Sequence, residues 1–411
     1  MPRPEALDSR VAFRPSSNEV REGDVAVLSP GIPEVSPLRR EIAARASEML
    51  GEVELFYRLS PAPILAITGT DGKSTVTTML GEIMRTAARP TFVGGNLGNP
   101  LCDDLDALTP DHVVVAEVSC FQLTTCRDFR PRVALVTNIA EDHTDYHGSF
   151  AAYQSAKRLI WRAMTSDDVL VLNADDPHIA TWSLPDPRTG GPRLRFFSLT
   201  SSSTEARVTP SNEGDRLEVT APAGERLYIM MRHELPLLGV HNVANALAAA
   251  QMAVDFGVDG TAIRSALLTY QPLPHRLARV RVRRGVTWID DSKATSPNAA
   301  SAALRAMTSP VVLLAGGSSK DADFTAFADL VRQTTRHVLC FGETRHAIAE
   351  ALGDHPHEVV TTMQEAFEIA DKMASDGDTV LLSPACASFD QFKGYAHRGE
   401  VFTDLVNALP E

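Results

Sequence analysis

The chain lacks the features that would place it in several large classes of protein. It has five cysteines, an odd number, at Cys102, Cys120, Cys126, Cys340 and Cys386, with no C-x-x-C pair among them. That spacing argues against a disulfide framework and a thiolate zinc site, and reads as buried free thiols in a reducing compartment. No apolar run approaches a membrane span, and the N-terminus has no signal-peptide core. A cytoplasmic protein without a membrane partner is therefore expected. Basic clusters are absent as well, and the net charge of −13 argues against nucleic acid as the main partner. There is no G-x-G-x-x-G, so the dinucleotide fingerprint is missing, and no repeat or low-complexity tract is visible. What remains is a globular composition, 44% apolar and 22% charged over 411 residues, long enough for two or three domains.

The most informative stretch runs from Ile64 to Thr75, ILAITGTDGKST. An apolar strand ends in a glycine-punctuated loop, followed by a lysine, two hydroxyls and a helical pattern. Glycines let backbone N–H groups turn toward phosphate oxygens, and the helix N-terminus adds partial positive charge. Lys73 is placed to reach the β- and γ-phosphates, and Ser74 or Thr75 to offer a hydroxyl to Mg²⁺. The Gly69–Gly72 spacing is shorter than in the standard phosphate loop, so an ordinary glycine-rich strand–helix turn is the competing reading.

Around this stretch the pattern alternates strand and helix. Strands are expected at Ile64–Thr68, Val113–Glu117, Val133–Asn138 and Val169–Asn173, and helices over 74–87, 150–164 and 241–256. Continuous apolar strands between helices imply an α/β fold with a mostly parallel, doubly covered sheet. Residues 186–232 read as short antiparallel strands. Before this region, Val25–Leu28 reads as a buried strand, and Ser36 with Pro37 as the start of a helix running to Leu50 and stopped by Gly51. After about residue 273 a second open α/β sheet begins. It has strands at 286–291, 311–317, 337–342 and 379–384, a helix over 297–307, and polar residues at the strands' carboxyl ends. The domains are thus expected at 1–51, 52–272 and 273–411.

The candidate chemistry sits at strand ends. Glu117 closes its strand on the edge where the phosphate loop closes another, which suits a shared Mg²⁺. Asn138–His143 (NIAEDH) brings an amide, carboxylates and an imidazole to the next strand end. By composition alone Lys157 is a solvated helix lysine. Leu273–Arg276 (LPHR) and Asp290–Thr295 (DDSKAT) bracket the start of the last domain with cations and carboxylates. The loops at Gly316–Lys320 and Ser383–Lys393 add cations, hydroxyls and N–H groups suited to a small dicarboxylate amino acid.

Ten motifs in order make the chain similar to the Mur ligase family: ITGTDGKST, VGGNLGNP, AEVSCFQL, TNIAEDHTD, YQSAKRLI, NADD, GVHNVANALAA, LPHR, IDDSKATSPNA and SPACASFDQFKGYAHRGEVF. The likeness runs from about Ser29 to the end. The last motif resembles the D-glutamate-adding branch, and the DNPR motif of the diaminopimelate- or lysine-adding relatives is absent. The resemblance implies a three-domain architecture: a truncated N-terminal uridine-nucleotide domain, a central P-loop-type ATP domain and a C-terminal Rossmann-like domain. It also implies an activity. ATP phosphorylates the carboxylate of UDP-N-acetylmuramoyl-L-alanine, the amine of D-glutamate attacks the acyl phosphate, and phosphate leaves. Domain closure is expected to align the substrates and exclude water.

By motif, the resemblance gives Gly69, Thr70, Asp71, Gly72, Lys73, Ser74 and Thr75 to the triphosphate, with Lys73 also catalytic. Ser74 and Glu117 are implied as ligands of one Mg²⁺. His143 is implied for a second, supported by Lys157 as a carbamate formed with CO₂. Asn245, Arg276 and Asp291 resemble the ATP contacts, and Asn96 a contact to the nucleotide sugar. Thr295, Lys320, Ser388, Phe389 and Tyr395 resemble the D-glutamate pocket, with Lys293 nearby. The enzyme is expected to act as a monomer. The short first domain is a departure from the family, which ordinarily carries a glycine-rich uridine loop there; a late start codon and a lost half-site are the two explanations. Competing functions are a ligase for L-glutamate or folylpolyglutamate, an inactive nucleotide-binding protein, and a phosphotransferase that stops at the acyl phosphate.

Overall fold

The computed structural model describes residues 20–32, 36–271, 273–318 and 323–410. They divide into two compact units. One takes in the described residues up to Leu235 together with Ala244–Tyr270; the other takes in Pro236–Val243 and the described residues from Gln271 onward.

The first unit opens with β1 (Val25–Leu28) and β2 (Glu48–Gly51), paired in parallel with Val25 opposite Glu48. Two expectations are corrected here. β1 is a strand but not a buried one, because in a two-stranded sheet Val25 and Val27 stay half exposed and only Leu28 is covered. The helix begins at Pro37 as expected but ends at Ala43. The Ser47 N–H donates to the Asp24 carbonyl, and its hydroxyl bonds the Gly23 and Asp24 carbonyls, drawing the chain onto β1. Strand pairing thus overrides the helical preference of residues 44–50.

The body of this unit is a nine-stranded sheet. Its strands are β3 (Ile64–Thr68), β4 (Thr91–Gly95), β5 (Val113–Glu117), β6 (Val133–Val136), β7 (Val169–Asn173), β8 (Arg193–Ser198), β9 (Ala206–Thr209), β10 (Arg216–Thr220) and β11 (Arg226–Met231). The order is β11-β10-β9-β8-β7-β6-β3-β5-β4. The central strands β3, β5 and β6 are buried at every position, which is why they read as unbroken apolar runs. Burying one such Ile or Val contributes roughly 1.5–3 kcal/mol, so this core can hold a polar loop at its edge. The reading of residues 186–232 as antiparallel is corrected in part. The 174–192 connection returns the chain to the start of β7, so β8 runs parallel to β7, and β9 runs parallel to β8. β10 alone is antiparallel to both of its neighbours, β9 and β11. The helix expected over 150–164 is α-helical only over Phe150–Arg158 and then tightens into a 3₁₀ turn at Leu159–Trp161.

The second unit carries a six-stranded sheet: β12 (Ala278–Arg283), β13 (Val286–Asp290), β14 (Val311–Gly316), β15 (Thr335–Phe341), β16 (His357–Val359) and β17 (Thr379–Leu382). Its order is β12-β13-β17-β14-β15-β16, parallel throughout except for β12. Separate apolar clusters cover its two faces, one around Leu313 and Phe327 and the other around Trp288 and Phe402. Both sheets turn the carboxyl ends of their parallel strands toward loops rich in polar residues, as open α/β sheets do at their ligand sites.

Candidate active site

In the first unit β3 delivers the loop Gly69–Gly72, and the helix Lys73–Thr86 follows with Gly72 at its N-cap. Both glycines are required. Gly69 and Gly72 have φ of +140° and +81°, and an added Cβ would overlap the Thr137 hydroxyl at Gly69 and press on the Asn245 amide at Gly72. The next strand end braces the loop. Asn138 Oδ1 accepts from the Asp71 N–H at 2.9 Å, and Asn138 Nδ2 donates to the Asp71 carbonyl at 3.0 Å. The Thr137 hydroxyl donates to the same carbonyl at 2.6 Å, and Tyr153 Oη meets Thr70 Oγ1 at 2.8 Å. The Lys73 ammonium folds back onto the Thr70 carbonyl at 2.6 Å, and Ser74 is buried behind it.

Glu117 ends β5 one register step from this loop, opposite Ile67, and is only 2% exposed. Asn96 Nδ2 donates to its Oε1 at 2.7 Å, while its Oε2 is buried with no partner. A buried, unpartnered carboxylate oxygen beside a phosphate loop fits a hard divalent cation. Among the described residues no group of three His, Cys, Asp or Glu side chains is arranged to hold a metal by itself. That is the ordinary situation for Mg²⁺, which takes one or two carboxylates and fills its shell with phosphate oxygens and water.

Lys157 departs from its bland reading. Its side chain is 2% exposed, and its nitrogen donates to the Gly69 carbonyl at 2.6 Å and lies 4.7 Å from the Tyr153 ring centroid. Burial, reinforced by the nearby Lys73 charge, brings its pKa down to about 7. His143 sits in the left-handed region at φ +50°, with Asp142 Oδ2 3.4 Å from its Nε2 and its ring against Phe121.

The second unit gathers the other group. Asp291 is buried, with Oδ1 accepting from the Leu277 N–H at 3.1 Å and Oδ2 from the Ser383 hydroxyl at 2.8 Å; burial pushes its pKa up to about 7. The Arg276 side chain is half-buried near His241. Lys293 places its ammonium 3.7 Å over the Tyr395 ring. Ser388 is buried, whereas Thr295 and Phe389 are exposed, Phe389 at 75%. Lys320 lies outside the described residues.

Sequence reasoning did not single out Arg398. Its guanidinium is fully buried and donates to Ser292 Oγ, Ser292 O, Cys386 O and Ala387 O at 2.8–3.2 Å. It ties the Asp290–Thr295 turn to the Ser383–Ser388 loop. The signal was present, since Arg398 lies in the last motif. His275 and Asp290 form a second brace, with Nδ1 and Oδ2 2.6 Å apart.

Comparison with known proteins agrees with this layout. Residues 67–253 match the Mur ligase middle domain, and 275–386 match the Mur ligase glutamate ligase domain. A UDP-N-acetylmuramoylalanine–D-glutamate ligase of Pelotomaculum thermopropionicum is 39% identical over 392 residues, covering 94% of this chain and 84% of the relative. The chain belongs to the Mur ligase family. The ligase of the same name from Thermoanaerobacter sp. is 36% identical, with 97% and 87% of the two chains covered. Among solved Mur ligases, UDP-N-acetylmuramate–alanine ligase from Thermotoga maritima superposes with a TM-score of 0.64 at 19% identity, covering 96% of this chain and 87% of its own. The MurF ligase of the same organism, solved with ADP, gives 0.62 at 17% identity and 95% coverage of each chain. At that identity the solved Mur ligases attest the fold alone.

Proposed function

We propose that this protein is the ATP-dependent ligase that joins D-glutamate to UDP-N-acetylmuramoyl-L-alanine in peptidoglycan precursor synthesis. The observation that carries the reading is the likeness to D-glutamate ligases at 36–39% identity, over 94–97% of this chain and 84–87% of theirs. The geometry supports it at each strand end. On this reading residues 1–51 contribute to nucleotide-sugar binding, 52–272 hold ATP and 273–411 take the amino acid. The five unpaired cysteines support work in a reducing cytoplasm.

The residues divide the labour as follows. Gly69–Gly72 presents N–H groups to the triphosphate, and Asn138 and Thr137 fix that presentation from behind. Lys73, now folded onto Thr70, is the cation available to the β- and γ-phosphates. Ser74 and Glu117 would hold one Mg²⁺, and His143 with modified Lys157 a second; bound there, the ions neutralise phosphate charge. Lys157 is suited to carbamate formation because the attacking amine must be neutral, and its buried site disfavours the ammonium. The amine lone pair bonds the carbon of CO₂ as one C=O π pair moves onto oxygen, the nitrogen's extra proton passes to water, and a buried cation becomes an anion. Asn245, Arg276 and Asp291 serve the nucleoside end. Asn96 does double duty, contacting the nucleotide sugar and orienting Glu117. Lys293, Thr295, Lys320, Ser388, Phe389 and Tyr395 are assigned to the amino acid, and of the described members Thr295, Phe389 and Tyr395 are exposed, ready to meet substrate.

The test is phosphate release from ATP with UDP-N-acetylmuramoyl-L-alanine, with D-glutamate, L-glutamate or neither. Release that depends on D-glutamate and yields the amide is expected. Release with L-glutamate at equal kcat/KM, or with a folate substrate instead, overturns the assignment.

A further inference from the structure

Two of the metal-ligand candidates of the first unit, Glu117 and His143, come from different strand ends, and the Phe121 ring lies against one of them. Glu117 closes β5. Two residues on, Ser119 opens a single helical turn, Cys120–Leu123, and fixes it with a reciprocal capping box. The Ser119 hydroxyl accepts from the Gln122 N–H, and Gln122 Oε1 accepts from the Ser119 N–H at 2.9 Å. Phe121 is thereby held in a set position relative to Glu117.

Its ring is surrounded. His143 lies tilted against it with centroids 4.7 Å apart, Tyr146 meets it edge-on at 4.4 Å, and His147 is parallel to it at 5.6 Å. His143 is also tilted toward the Tyr153 ring at 6.4 Å, and its backbone N–H donates to Asp142 Oδ1 at 2.9 Å, but Phe121 makes the nearer ring contact. The His143 side chain is 45% exposed, it occupies the left-handed backbone region, and its Asp142 partner is 3.4 Å away and itself exposed. A non-glycine residue keeps such a conformation only where its surroundings hold it there. Aromatic packing of this geometry contributes beyond area alone and is orientation-dependent. The Tyr146 hydroxyl, in turn, donates to the Pro30 and Ile32 carbonyls at 3.3 and 3.2 Å, which anchors the ring cluster to the chain's early segment.

We infer that Phe121 is a positioning residue: its ring sets the His143 imidazole at a fixed separation from Glu117, so that the two can serve neighbouring cations. The inference rests on the two-ion reading above. The role belongs to the planar face of the ring, so volume alone does not replace it.

The experiment counts bound Mn²⁺ by electron paramagnetic resonance in the full chain saturated with ADP, and measures Mg²⁺ activation in parallel. Wild type is expected to bind two ions. Phe121→Leu and Phe121→Met are expected to bind one, with at least a tenfold higher Mg²⁺ requirement and a KM for ATP within twofold of wild type. Phe121→Tyr, which keeps the ring, restores the second ion. Two Mn²⁺ with unchanged affinity in a folded Leu or Met variant overturns the positioning role while leaving the two-ion reading intact. A single ion in wild type overturns that reading, and the positioning role with it. If Phe121→Leu does not fold, Phe121→Met decides.

Discussion

Lys157 in the first unit and Arg398 in the second are among the largest fully buried side chains described, and the two are treated in opposite ways. Arg398 has at least four acceptors within 3.2 Å, all carbonyl or hydroxyl oxygens, and its pKa falls only to about 10. It stays charged at any physiological pH and works as a knot between loops. Lys157 has one carbonyl acceptor and a second lysine nearby, and its pKa falls to about 7. A guanidinium spreads its charge over five donors in a rigid fork, whereas an ammonium is a compact charge that yields its proton when desolvated. Burial therefore leaves one cation charged and lets the other give up its proton, as the proposed carbamate requires.

The sharpest way to break this contrast is to remove the reactive member. Lys157→Ala is expected to lower kcat by about 10²–10³-fold, the scale of losing one electrostatic stabiliser in an excluded site. ATP binding should stay near wild type in equilibrium titration, and formate or acetate should recover part of the rate. Near-normal turnover without rescue sinks the carbamate proposal. Lys157→Arg should not substitute, because a guanidinium cannot become the neutral nucleophile.

Removing the structural member should instead cost stability. Arg398→Met removes a donor from four oxygens, of which the Ala387 carbonyl keeps the Ser318 N–H, and is expected to destabilise the second unit by about 3 kcal/mol, given the penalty for unmade buried hydrogen bonds. Arg398→Lys keeps the charge but cannot reach both loops, so it should recover less than half of that loss. Chemical denaturation followed by Trp288 fluorescence reads the second unit if the other two tryptophans are replaced by Phe. Equal stability of Arg398→Met and wild type would remove the distinction drawn between the two cations.

Reading the chain alone singled out the strand–loop–helix at 64–86 because its signal is contiguous: strand, glycines, lysine and hydroxyls follow one another. It found Glu117 for a related reason, as the polar end of an apolar strand. It could not find the burial of Lys157, because a lysine three residues after Gln154 on a short helix looks like any solvated lysine until β3 is placed against it. Arg398 was equally hidden, since its acceptors lie 106 and 12 residues away. The helix expected through Leu50 failed on a pairing set by Ser47 and Asp24. Antiparallel pairing over 186–232 held for β9, β10 and β11 but not for β8, because weak alternation does not reveal which way a returning crossover runs.

A smaller effect tests how the loop of the first unit is held. Asn138→Ala removes both side-chain bonds to the Asp71 backbone. ATP affinity should fall about tenfold, the equivalent of one to two polar contacts, with kcat at saturating ATP much less affected. A kcat loss without an affinity loss would move Asn138 from loop brace to chemistry.

The smallest effect lies at the far edge of the second sheet, where the charged partner is a poor one. His337 in β15 is half-buried with its Nε2 unbonded, 3.7 Å from Glu358 on β16. Burial lowers its pKa, the Arg336 and His357 charges lower it further, and Glu358 offsets only part of this. His355, bonded through Nε2 to the Thr335 hydroxyl, is lowered by burial first and then by the His337, Arg332 and His357 charges. A base whose folded pKa lies below the ordinary 6.5 takes up its proton more readily when unfolded. The unfolded state therefore gains protons first as pH drops, and stability present above about pH 6.5 is lost as pH falls through the lower folded value. The stability of the second unit should thus decline as pH falls below 6.5. His337→Gln, which cannot be protonated there, should flatten that slope; an unchanged slope would assign the acid sensitivity to carboxylates instead.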